Sequence, residues 1–108
     1  MTFKEYQESS RQTAIYPKEM GIVYCLMGLM GEAGELSNKI KKRYRDGDGQ
    51  VLGEEKKQLS GELGDVLWYL ASLSHELGLD LGTIAEENID KLLSRKERGV
   101  LGGSGDNR

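Results

Sequence analysis

The sequence predicts an all-α fold, an antiparallel bundle of about four helices completed by homo-oligomerisation, and three observations carry that prediction. Apolar residues recur at alternating steps of four and three along two stretches: Ile22, Leu26, Leu29, Ala33, Leu36 and Ile40, then Leu59, Leu63, Val66, Leu70, Leu73 and Leu77. That spacing is a helical seam. No segment alternates polar and apolar residues with period two, so no strand is expected. The chain has 108 residues, enough for one domain, and is only 37% hydrophobic. Long helices drawn from so short a chain leave an apolar face uncovered, which a second copy would cover.

Thr2-Phe3-Lys4-Glu5 has the form of a capping box and opens a short helix to about Ala14. Pro17 marks a break before the second helix. That helix should end near Asp46, where Asp46-Gly47-Asp48-Gly49 reads as a turn. The turn tempts one toward a calcium loop, but the sixth and twelfth positions hold Val51 and Lys57 instead of Gly and Glu. A third helix starts near Glu54 and stops at Gly78. A fourth runs from Leu81 or Thr83 to Arg98, with Ile84, Ala85, Ile89 and Leu92 on its apolar side. Residues 1–98 form the domain, and the Gly-rich tail over 99–108 has no periodicity and the composition of a disordered end.

Net charge is −3, which argues against a nucleic-acid polymer as partner. It leaves room for a nucleotide ligand, because bound metal reverses the local sign. Cys25 is the only cysteine, so neither an internal disulfide nor a thiolate metal site is available. No segment reads as a signal peptide or a membrane span, and the expected location is cytoplasmic.

Two stretches repeat one pattern. Gly31-Glu32-Ala33-Gly34-Glu35-Leu36 and Gly61-Glu62-Leu63-Gly64-Asp65-Val66 both read Gly-Glu-apolar-Gly-acid-aliphatic. Acids at i and i+3 point the same way on a helix. At about 100° per residue, each pair lies on the same flank of its seam. Packing the seams antiparallel would bring Glu32, Glu35, Glu62 and Asp65 to one edge as a cage of carboxylates. Such a cage repels itself unless cations fill it. The alternative is a solvated helix face. Against it, the acids border the seam and lie in mid-helix, not in the first turn, where the helix dipole would favour them. Lys39 is the one nearby cation in that sector. The four glycines suggest close backbone approach or room for a ligand.

The ligand types select the metal. A di-iron bundle needs Glu-x-x-His pairs, and the only histidine, His75, has Ser72 three residues before it. Zinc prefers His or Cys. All-oxygen ligation leaves Mg²⁺ or Mn²⁺ ahead of Ca²⁺. Tyr69, four residues after Asp65, can contact a sugar or base or can pack in the core. Trp68 falls on another sector, suited to packing or an oligomer interface. Asn88, Lys91 and Arg95 share one face of the fourth helix, and from spacing alone a solvated face explains them better than a ligand does.

Glu32-x-x-Glu35 followed by Glu62-x-x-Asp65, the latter within Glu-Leu-Gly-Asp-Val-Leu-Trp-Tyr, resembles the MazG-like all-α nucleoside triphosphate pyrophosphohydrolases. The likeness extends through Asn88-Ile89-Asp90-Lys91-Leu92, Arg95, Arg98-Gly99 and the ending Gly-Ser-Gly-Asp-Asn-Arg, and it touches Tyr16-Pro17. The resemblance implies cleavage of (d)NTPs between the α and β phosphates, giving a nucleoside monophosphate and pyrophosphate. It implies Mg²⁺, with Mn²⁺ as a substitute, held by Glu32, Glu35, Glu62 and Asp65, the catalytic acids. It implies dimers or tetramers with intersubunit sites. It also shifts Asn88, Lys91, Arg95 and Tyr69 toward substrate binding, with Lys39 beside them. Two alternatives stand: a specialised phosphoribosyl-ATP or dUTP/dCTP pyrophosphohydrolase, and a non-catalytic helical oligomer that binds nucleotide or protein.

Overall fold

The computed structural model describes all residues from Met1 to Arg108. It contains four α-helices and no strands: α1 Phe3–Ser10, α2 Gly21–Asp46, α3 Glu54–Glu76 and α4 Leu81–Glu97. Local chemistry sets most boundaries. Thr2 Oγ1 accepts from the Glu5 amide at 3.1 Å while Glu5 Oε1 accepts from the Thr2 amide at 3.1 Å, so the expected capping box is complete. The first helix ends sooner than expected and tightens into a 3₁₀ turn over Arg11–Thr13. Asp80 caps α4 through the Thr83 amide at 2.9 Å.

Helices α3 and α4 stop the same way. Gly78 and Gly99 both take φ of 71°. Leu79 donates to the Ser74 carbonyl at 2.8 Å and Val100 to the Arg95 carbonyl at 2.9 Å. These are Schellman closures, in which a left-handed glycine returns the chain to its own last turn.

The α2 and α3 helices form an antiparallel hairpin. Gly21 lies against Glu76, Gly28 against Tyr69, and Arg43 pairs with Glu55 at 2.7 Å. Small residues set the approach: Cys25, Ala71 and Ser72 are wholly buried, and the Tyr69 ring fills the space a Cβ at Gly28 would take. This contact is rotated from the expected seam. Ile22, Leu26, Ile40, Leu63, Leu70 and Leu77 stay 36–56% exposed, because the helices meet along the small and polar residues beside that stripe.

Helix α1 ties the hairpin to α4 through one buried side chain. Gln7 Nε2 donates to the carbonyls of Ala71 at 3.3 Å and Leu79 at 3.0 Å, and its Oε1 accepts from the Leu81 amide at 2.9 Å. The tail is irregular, as its composition suggests, but it is fastened. Arg108 donates to the carbonyls of Val100 at 3.1 Å and Gly105 at 2.7 Å, and Arg95 donates to that of Asp106 at 3.1 Å.

Only 9 of 108 residues are buried. The radius of gyration is 16.8 Å, against about 13 Å for a compact domain of this length. No helix is long and apolar enough to cross a membrane.

Candidate functional site

The antiparallel register of α2 and α3 brings the two acidic pairs to the same level. One carboxylate oxygen each from Glu32, Glu35 and Glu62 lies within 4.8 Å of the others. Glu32 and Glu62 are half-buried between the helices, while Glu35 stands on the exposed rim. Asp65 lies next to Glu32. Together with Thr13, Trp68 and Tyr69, these two acids line an open pocket of about 380 Å³. Gly31, Gly34, Gly61 and Gly64 have no atom within 4 Å of where a Cβ would stand. Their expected close approach is therefore absent within one chain, and the space beside the acids is open.

The acids do not ionise alike. Burial lifts the Glu32 carboxyl above its ordinary value, and repulsion from Glu35, Asp65 and Glu62 adds to that. The Lys39 ammonium, whose Nζ pairs with Glu62 Oε1, holds Glu62 below its ordinary value. The other oxygen, Glu62 Oε2, is buried and has no hydrogen-bond partner. A buried carboxylate oxygen without a donor is costly. Three converging carboxylates with one such orphan oxygen, and no nitrogen or sulfur donor, fit a hard divalent cation.

Of the residues singled out from the sequence, Glu32, Glu35, Glu62, Lys39, Asp65 and Tyr69 come together here. Asn88 and Lys91 are exposed on α4, a helix that packs on α1 and α3. Arg95 is buried and engaged by the Asp106 carbonyl. None of these three lines the pocket that holds Glu32 and Asp65.

Two pocket residues escaped the sequence reading. Trp68 sits beside Asp65, not on a separate sector, and its Nε1 donates to Thr13 Oγ1 at 2.9 Å. Its position three residues after Asp65 was the available signal. Thr13 carried none, because a long-range contact delivers it. Tyr16, Tyr24 and Tyr69 extend the aromatic wall: Tyr16 stacks on Tyr24 at 5.2 Å, and Trp68 meets Tyr69 edge-on at 5.1 Å. Behind this wall burial pushes the Tyr16 phenol up to about 12 and raises the Cys25 thiol, so neither is an ionised nucleophile at neutral pH.

Comparison with known proteins agrees with this geometry. A protein of Mycobacterium phage L5, described as "Gene 37 protein", is 50% identical over 109 residues, covering 95% of this chain and 96% of that protein. No solved structure matches. The family model of the MazG nucleotide pyrophosphohydrolase domain matches residues 24–100, a span that contains both acidic motifs and the helices that carry them. The chain belongs to the MazG nucleotide pyrophosphohydrolase family.

Proposed function

We propose that this protein hydrolyses nucleoside triphosphates, ribo or deoxy, at the α–β phosphate bond, releasing a nucleoside monophosphate and pyrophosphate. The supporting observation is the convergence of Glu32, Glu35 and Glu62 oxygens within 4.8 Å, with Asp65 opening the cluster onto a pocket of about 380 Å³. Mg²⁺, or Mn²⁺ in its place, held by Glu32, Glu35, Glu62 and Asp65, would supply charge neutralisation for the polyphosphate and a water acidic enough to attack.

The side chains divide the remaining work. Glu35, on the exposed rim, has room beside it for water and takes the proton as the water oxygen bonds to the α phosphorus. The bond from that phosphorus to the bridging oxygen breaks, and the electron pair leaves with pyrophosphate. Lys39, the ammonium paired with Glu62 at the cluster, is the cation offered to the leaving charge. Tyr69 and Trp68 face the sugar or base, excluding water from one side. Asn88 and Lys91, exposed on α4, join in the assembled oligomer, whereas Arg95, buried and bonded to the Asp106 carbonyl, holds the tail in place.

The exposed area supports assembly as a homodimer or homotetramer. The single chain exposes 7916 Å², whereas a compact monomer of its mass exposes roughly 6,000 Å², about a quarter less. The uncovered surface includes Met27 and Met30, 68% and 66% exposed, on the helix that carries Glu32. The biological setting we infer is cleansing of the cytoplasmic nucleotide pool.

A panel of common and damaged nucleotides with Mg²⁺, products resolved as mono- or diphosphate, tests the proposal. Monophosphate and pyrophosphate from at least one substrate are expected. Diphosphate with orthophosphate, or no turnover across the panel, overturns it.

A further inference from the structure

Glu62 has one oxygen paired and one orphaned. Oε1 takes the Lys39 ammonium, and buried Oε2 has nothing. Lys39 stands one turn beyond Glu35 on α2, so it reaches the acidic cluster from its own helix side. Its side chain remains 45% exposed while that of Glu62 is 14% exposed. The ammonium is thus the solvent-facing member of the pair and the carboxylate the enclosed one.

We propose that Lys39 is a built-in counter-cation which a divalent ion displaces, so that loading the metal frees the ammonium to bind the polyphosphate. The inference rests on the metal reading above. A divalent ion drawing on Glu62 would stand next to the ammonium, and like charges at that range repel strongly where solvent screening is reduced. Lys39 has somewhere to go. It also lines a neighbouring cavity of about 180 Å³ with Lys42 and Arg43. Arg43 is held there by Glu55 at 2.7 Å and by the Gln50 carbonyl at 3.2 Å, which leaves Lys42 and the released Lys39 as the free cations. The flexible four-carbon stem of lysine suits such a swing. Empty, the acids keep an internal cation; loaded, that cation turns to the anion.

The test compares wild type, Lys39→Met and Lys39→Arg, each by Mn²⁺ calorimetry and by melting in chelator and in saturating Mn²⁺. Lys39→Met keeps the stem and deletes the charge. It should melt below wild type in chelator, recover in Mn²⁺, and bind Mn²⁺ roughly 5-fold tighter or more, within the usual range of couplings between bound groups. Lys39→Arg should bind Mn²⁺ as wild type does. If wild type binds Mn²⁺ and Lys39→Met binds it no tighter, the displacement idea falls and the metal site survives. If neither binds Mn²⁺, the metal reading falls and takes this one with it. Wild-type protein alone gives a second readout should Lys39→Met fail to fold. Acylation of Lys39, followed by peptide mass spectrometry, should accelerate when Mn²⁺ is added, and an unchanged rate with Mn²⁺ bound overturns the proposal.

Discussion

Glu32 and Glu62 are the same residue type at equivalent positions of a repeated motif, yet their surroundings push their acidities apart. Burial and acidic neighbours raise Glu32, while Lys39 lowers Glu62. In metal-free protein the signs lead to a definite pH profile. An acid raised in the fold is penalised when ionised, and that penalty is relieved as pH falls through its folded value toward the ordinary 4.5. An acid lowered in the fold stabilises above 4.5, and that is lost as pH falls through its folded value. The cluster's contribution to stability should therefore peak near pH 4.5, and Glu32→Gln should flatten the branch above it. Melting in chelator across the acidic range checks this. For activity, Glu62→Gln or Asp65→Asn should reduce pyrophosphate release by about 100-fold or more, the scale of lost charge stabilisation. The helical circular dichroism should stay unchanged, and full activity in either variant would exclude the site.

Helix α1 is short, yet its Gln7 closes three backbone valences at the α3–α4 junction. An amide there is irreplaceable by an apolar group, since the Leu81 amide and the Leu79 carbonyl would lose their partner. Gln7→Ala should destabilise by about 1–3 kcal/mol, read by denaturant unfolding, and α4 should exchange its amide hydrogens faster. The hairpin of α2 and α3 follows another rule. Its close contact at Gly28 and Cys25 sets the register that places Glu32 level with Glu62. Arg43 and Lys39, each paired across to α3, pin that register from the far end. The geometry of the acidic cluster is thus inherited from a glycine one turn away and a cysteine two turns away.

For the whole molecule, exposure is the dominant fact. The single chain is extended, 44 × 41 × 27 Å, and carries its apolar stripe outward. A second copy set against that stripe would bury it and could bring an α4 face to the acids. Met27→Glu should shift the protein toward monomer in sedimentation or light scattering and lower its melting temperature, because a charge buried without a partner is costly. A wild-type protein that is monomeric at micromolar concentration would exclude the assembly.

The sequence by itself determined the helix count, most of the boundaries, and the pairing of Glu32-x-x-Glu35 with Glu62-x-x-Asp65. Periodicity, capping boxes and C-terminal glycines are local, and local chemistry is legible in order along the chain. Only the tertiary structure decided which face of α2 meets α3. That choice depends on which small residues let two backbones approach, and a hydrophobic stripe does not encode it. Tertiary packing likewise brought Thr13 to the pocket, engaged Lys39 with Glu62, and fastened the tail on Arg95. Contacts between residues far apart in sequence follow from packing, so they became visible when the helices were assembled.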